Sequence, residues 1–231
     1  MADWLGPDAL AALRLSLLVA TVATAASLVP GLAVAYLLAR GRFPGRAALD
    51  TLVHLPLVLP PVVTGYLLLI GFGRRGPIGA WLYQVFGVTL AFRWTGAALA
   101  CAVMGFPLLV RAMRLSIDSV DRKLEEAAGS LGAGPAAVFA LVTLPLVLPG
   151  IIAGLILSFA RSMGEFGATI TFVANIPGET QTLPSAIYTF TQVPGGEGDA
   201  LKLTLVAVAV STAALVLSEV LARRVSRRML A

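Results

Sequence analysis

The chain has 231 residues, of which 58% are hydrophobic and 13% charged, whereas a soluble domain carries about 25% charged residues. Its net charge of +5 raises nucleic acid as a partner, but the basic residues stand beside apolar runs, which is the pattern of membrane topology. Soluble and nucleic-acid-binding classes are excluded, and several uncharged runs reach the about 20 residues that a bilayer crossing needs. The chain reads as an integral membrane protein.

The first predicted span covers roughly residues 12–39. Its opening, "LRLSLLVATVATAAS", has small residues near Ala23 and Ala25 like a secretory signal. The uncharged run continues from Leu15 to Ala39, longer than a signal core, so an uncleaved span is expected. The second span, roughly 51–72, contains "HLPLVLPPVVTGYLLL". Pro60 and Pro61 remove backbone donors there and predict a kinked or opened helix, with Thr64 and Gly65 as candidates to face a path through the membrane. A kink accommodated by neighbouring helices is the other reading. His54, the single histidine, excludes a multi-histidine metal site and reads as a packed neutral ring.

The third span, about 95–115, holds the single Cys101, so no intrachain disulfide can form. Trp81, Tyr83, Phe86, Phe92 and Trp94 precede or open it and read as interfacial anchors. The fourth span runs from about 142 to 165 and the fifth from about 201 to 221. Between them "NIPGET" and "VPGGEGDA" mark turns. Of 17 Lys and Arg residues, eleven fall on one side: Arg40, Arg42, Arg46, Arg111, Arg114, Arg122, Lys123, Arg223, Arg224, Arg227 and Arg228. That side is expected to be cytoplasmic, with the N-terminus outside and the C-terminus inside. No "GxxxxGK" phosphate loop and no catalytic constellation occurs, so neither catalytic residues nor a metal site are expected.

One stretch fits neither a soluble amphipathic helix nor an ordinary span: "EEAAGSLGAGPAAVFALVTLPLVLPG", from Glu125 to Gly150. Asp121 is a candidate N-cap, and Leu124, Ala127, Ala128 and Leu131 share a face. Gly132 and Gly134 end that helix, and a second begins near Pro135. A small, alanine-rich face suits insertion into a partner's groove. A connector lying on the bilayer surface is the alternative, although the basic, strongly apolar pattern of such helices is missing.

The spacing resembles the EAA loop of ABC-importer permeases: Glu126, Ala127, Ala128, then Gly132, then Val142, Leu144 and Pro145. Val142 replaces the usual isoleucine. In that family the loop docks into a groove on a cytoplasmic ATPase subunit. "SFARSMGEFGATITFVANIPGETQTLPSAIYT", from Ser158 to Thr189, and the second-span stretch resemble the molybdate permease group, and sulfate permeases share "GEFG". Arg161 and Glu165, spaced i, i+4, are expected on one helical face. Either Arg161 guides an oxyanion with Glu165 setting its orientation, or the two form a structural ion pair.

The resemblance implies an all-α membrane protein with about five spans, the type I importer permease fold. Residues 1–231 would form one transmembrane domain, with 118–145 as the coupling loop. It further implies a bacterial inner-membrane homodimer that conducts molybdate, with a pair of ATP-binding subunits inside and a periplasmic molybdate-binding protein outside. ATP would be held by the partner, and no cofactor by this chain. Sulfate or tungstate import, and a passive anion channel, are the alternatives.

Overall fold

The computed structural model describes residues 6–229, apart from the side chains of residues 215, 217–219 and 221–229. Residues 1–5 and the side chains of Arg223, Arg224, Arg227 and Arg228, used above for orientation, lie outside the described residues. Among the described residues every regular element is helical. Helix α1 (Pro7–Arg40) starts on Pro7, whose missing N–H costs nothing in a first turn. Its 34 residues span about 50 Å, ample for a hydrocarbon core of about 30 Å.

The second predicted span is broken. Helices α2 (Arg46–Val58) and α3 (Pro61–Phe72) meet at an angle of 116°. The cause is local: Leu59 and Pro60 each precede a proline, and both are extended, at φ −70°, ψ 142° and φ −55°, ψ 135°. A residue before proline is driven out of the helical region, and two in succession turn the chain rather than kink it. Neither half reaches the length of a crossing on its own.

The two long connections, after the second and after the fourth predicted span, read from sequence only as turns and aromatic anchors, contain further helices. Helix α4 (Pro77–Phe86) carries Trp81 edge-on to Phe86 at 5.6 Å, with the Arg74 guanidinium 4.5 Å above the Tyr83 ring. Helix α10 (Leu183–Gln192) is tied to α1 by Leu183 N–H donating to Ser16 Oγ at 2.6 Å. Thr180, Gln181, Thr182 and Ser185 are buried there, so the segment is a packed polar plug.

Helix α5 (Trp94–Ser119) is the hub, packed against α1, α2, α8 (Leu144–Met163) and α9 (Gly167–Val173). Of its most apolar stretch 61% is buried, against 33% for α1. Without a hydrophobic drive between helices in lipid, close approach of small residues supplies the packing. A side chain at Gly105 would meet Ser158 of α8, and one at Gly31 would meet Leu109 of α5. Cys101 and Ser162 exchange contacts across the same interface: the thiol donates to Ser162 O at 3.6 Å and the Ser162 hydroxyl to Cys101 O at 3.4 Å.

Helices α6 (Arg122–Ser130) and α7 (Pro135–Val138) follow α5, and a π-helical turn (Phe139–Thr143) joins α7 to α8. Helices α7 and α8 with that turn form one apolar rod, Pro135–Met163. Three described helices are long and apolar enough to cross a bilayer, and the bent α2–α3 pair can serve as a fourth. The fifth predicted span falls in the first part of α11 (Glu197–Met229).

Candidate functional site

The Glu125–Gly150 stretch takes the form of a handle at the bundle end where α1 and α5 finish. Asp121 caps α6, its carboxylate accepting from Lys123 N–H at 3.0 Å. At the other end Gly132 adopts φ +89°, a left-handed conformation that glycine enters without penalty. The Ala133 N–H reaches back to Ala128 O at 3.2 Å, which satisfies a helix-end carbonyl and reverses the chain. Pro135 then opens α7. No residue of α6 is buried: Glu126 and Ala127 are exposed and Ala128 is half-buried. Leu124 and Leu131 stand 49% and 88% exposed, which leaves the apolar face uncovered by this chain. Leu144 is half-buried and Pro145 exposed at the start of the long rod.

The handle is held by Glu125, a residue outside the motif. Its Oε2 lies 3.3 Å from Arg40 Nε at the end of α1, and its Oε1 accepts from Thr143 Oγ1 of the π turn at 2.7 Å. A second guanidinium nitrogen of Arg40 donates to Val120 O, at the junction of α5 and α6, at 3.0 Å. Beside this knot Tyr36 packs edge-on to Phe139 at 5.2 Å. The doubled glutamate was the available signal. Its meaning depends on Arg40, remote in sequence.

The residues singled out for a path through the membrane form a second site. Helix α8 ends at Met163, so Glu165 lies in the turn after Gly164 rather than on the helical face expected for it. Glycine and the turn toward α9 end the helix before the i+4 register is complete. Glu165 nevertheless folds back to Arg161, with Nη1 and Oε2 2.6 Å apart, while its Oε1 accepts from Ala168 N–H at 2.8 Å. The carboxylate is 1% exposed and the guanidinium 27%. One buried carboxylate thus neutralises a cation and caps α9, where an anion also suits the helix dipole.

The same α9 packs on α3. A side chain at Gly65 would run into the backbone of Ala168, and one at Gly167 would lie 2.7 Å from Pro61 Cβ. Pro61, Gly65, Glu165 and Gly167 therefore meet where two broken helices cross. Thr64 is buried in the single chain rather than facing open space. Pro60 forms the extended corner before α3.

At the handle end, Arg114 of α5 donates to both carboxylate oxygens of Asp50 of α2, at 3.0 and 2.9 Å. His54 Nδ1 lies 2.9 Å from Asp50 O and 3.2 Å from its carboxylate, so that nitrogen carries the proton. With Thr51, Arg111, Leu115 and Asp118 these residues line a cavity of about 440 Å³.

Comparison with known proteins matches residues 12–230 to the family described as binding-protein-dependent transport system inner membrane component. The chain is 60% identical over 212 residues to the molybdenum transport system permease protein ModB of Escherichia coli, covering 92% of this chain and 93% of that one. The protein of the same name from Haemophilus influenzae is 54% identical over 220 residues, 95% and 96% of the two chains. The Escherichia coli sulfate transport system permease protein CysT is 40% identical over 182 residues, 79% of this chain and 65% of its own. Among solved structures, an inward-facing methionine ABC transporter superposes with a TM-score of 0.72 at 17% identity, covering 93% and 94% of the chains. A bacterial alginate ABC transporter gives 0.75 at 16%, covering 95% and 80%.

Proposed function

The chain belongs to the family of binding-protein-dependent transport system inner membrane components, and from that premise we propose that it is the permease subunit of an ATP-driven importer that conducts molybdate across the inner membrane. The fold is that of type I ABC importer permeases. Molybdate is favoured over sulfate because the molybdenum permeases of Escherichia coli and Haemophilus influenzae share 60% and 54% of its residues over nearly the whole chain, more than the 40% that the sulfate permease shares over less of it. The single observation that carries the mechanism is α6, a capped helix that buries none of its residues.

Helix α6 docks into a groove on a cytoplasmic ATP-binding subunit, with Glu126, Ala127, Ala128 and Gly132 at the contact. Alanine and glycine permit close backbone approach, and Leu124 and Leu131 supply apolar anchors. The handle end is cytoplasmic, which places the N-terminus outside and the C-terminus inside. Arg40, Arg114, Arg122 and Lys123 at that end support this orientation. ATP binding and hydrolysis take place in the partner subunits, and this chain needs no cofactor of its own.

Two copies related by a two-fold axis enclose the path, since so few spans form too small a bundle to do so alone. Helix α3 leaves Val62, Tyr66, Leu67 and Ile70 exposed, an apolar face that a second copy covers. The crossing of α3 and α9, with Pro60, Pro61, Thr64 and Gly65 on one side and Arg161 and Glu165 on the other, is the gate. The partly exposed Arg161 attracts a tetrahedral dianion released by a periplasmic molybdate-binding protein. Movement of α6 passes along the Leu144–Pro145 start of α8 and alternates access at that gate.

The test is ATP-driven uptake into vesicles that hold the chain with its ATPase and binding protein. Molybdate is expected to accumulate with ATP only, and Gly132→Asp is expected to abolish uptake with membrane insertion unchanged. ATP-independent uptake would identify a passive anion channel. Uptake of sulfate but not molybdate would keep the mechanism and change the substrate.

A further inference from the structure

The coupling reading leaves open how a short exposed helix moves a membrane bundle. Its chain connections are poor levers. One is the extended Asp121, at φ −64°, ψ 122°, and the other is the left-handed turn at Gly132. Both are hinge-like single residues, and a helix attached only through them would swivel without dragging its neighbours. Packing does not compensate, since α6 buries no residue.

We infer that Arg40 and Glu125 are positioning residues that clamp α6 to the ends of α1, α5 and α8, so that motion of α6 is delivered to all three together. The clamp has three arms. The first is the Arg40–Glu125 ion pair at 3.3 Å, from the end of α1 to the first turn of α6. The second is the 3.0 Å bond from Arg40 to Val120 O, which fixes α1 to the end of α5. The third is the 2.7 Å bond from Thr143 Oγ1 to Glu125, which fixes α6 to the π turn that begins the α8 rod.

Burial distinguishes this knot from an exposed pair. The Arg40 and Glu125 side chains are 12% and 17% exposed, and Thr143 is fully buried. Exposed ion pairs are loose and screened, whereas a shielded, multiply bonded one holds a defined geometry. The π turn matters as well. Such turns recur at functional sites in helices, and here one offers the Thr143 hydroxyl to α6 just before Pro145. Tyr36 against Phe139 adds an apolar contact between α1 and the same turn.

The inference rests on α6 being the ATPase-docking helix, and the experiment separates the two claims. The complete transporter is reconstituted in vesicles, and ATP hydrolysis and molybdate uptake are measured together. The readout is molybdate moved per ATP consumed. Glu125→Gln keeps an acceptor for Thr143 and removes the charge, and Thr143→Val keeps the ion pair and removes the third arm. Each is expected to retain ATP hydrolysis while the ratio falls about fivefold or more, the lower bound for coupling between two sites. Arg40→Lys, which keeps the charge, is expected to recover part of what Arg40→Met loses. Arg40→Met combined with Glu125→Gln is expected to be no worse than Arg40→Met alone. An unchanged ratio in Glu125→Gln and Thr143→Val, or hydrolysis and uptake falling in step, would overturn the clamp. If Glu125→Gln fails to assemble, Thr143→Val and the Arg40 pair decide the question. Absence of ATP-driven uptake in the unaltered transporter would instead overturn the docking reading itself.

Discussion

Helices α5 and α6 follow one another in the chain and are built on opposite principles. Helix α5 is the most buried of the long apolar helices and is held by small residues that let α1 and α8 approach closely. Helix α6 buries nothing and is held by one cap, one glycine turn, one ion pair and the Thr143 bond to Glu125. The first arrangement resists deformation because close-packed interiors have few alternative states. The second leaves an apolar face free for another molecule and can move as a unit. Stability and coupling are thus carried by different residues, and substitutions should separate them.

The largest effect on stability is expected inside the bundle. Glu165→Ala strands Arg161 and uncaps α9, and breaking a buried pair in this way costs about 3 kcal/mol. The thermal midpoint of the detergent-solubilised chain would report the loss. A smaller cost, about 2 kcal/mol, is expected for Gly105→Leu, which forces a side chain into Ser158 of α8. If that variant melts like the unaltered chain, α5 is not the packed hub described here.

Much of this contrast was readable in the sequence because it depends on local chemistry. The cap at Asp121, the turn at Gly132, the helix start at Pro135 and the break at Pro60 each follow from one residue type and its neighbours. The all-helical membrane fold followed from hydropathy in the same way. The 116° angle between α2 and α3 was not readable, since prolines announce a break and tertiary packing sets its direction. The position of Glu165 was misjudged because i, i+4 spacing assumes that the helix continues, and here it ends two residues earlier. The Arg40–Glu125 clamp joins residues far apart in the chain, and no periodicity encodes such a pair. The packed polar plug around Thr180–Ser185 was hidden by a composition that reads as turns.

Substitutions in α6 sharpen the comparison from the other side. Gly132→Asp places a side chain in a left-handed conformation, a strain of about 1 kcal/mol confined to the turn. Its thermal midpoint should move little, while ATP-driven uptake disappears. A drop in stability as large as that of Gly105→Leu would mean that the handle and the core are one unit.

The smallest expected effect on the chain itself is that of Leu131→Asp. Leu131 is 88% exposed, so stability should change by no more than about 0.5 kcal/mol. The affinity of the chain, embedded in a lipid nanodisc, for its isolated ATPase subunit is the direct test of the docking claim. With an apolar anchor at the interface replaced by a charge, that affinity is expected to fall about tenfold or more while the thermal midpoint stays in place. Equal affinity for the Leu131→Asp and unaltered chains would contradict the assignment of α6 as the docking helix.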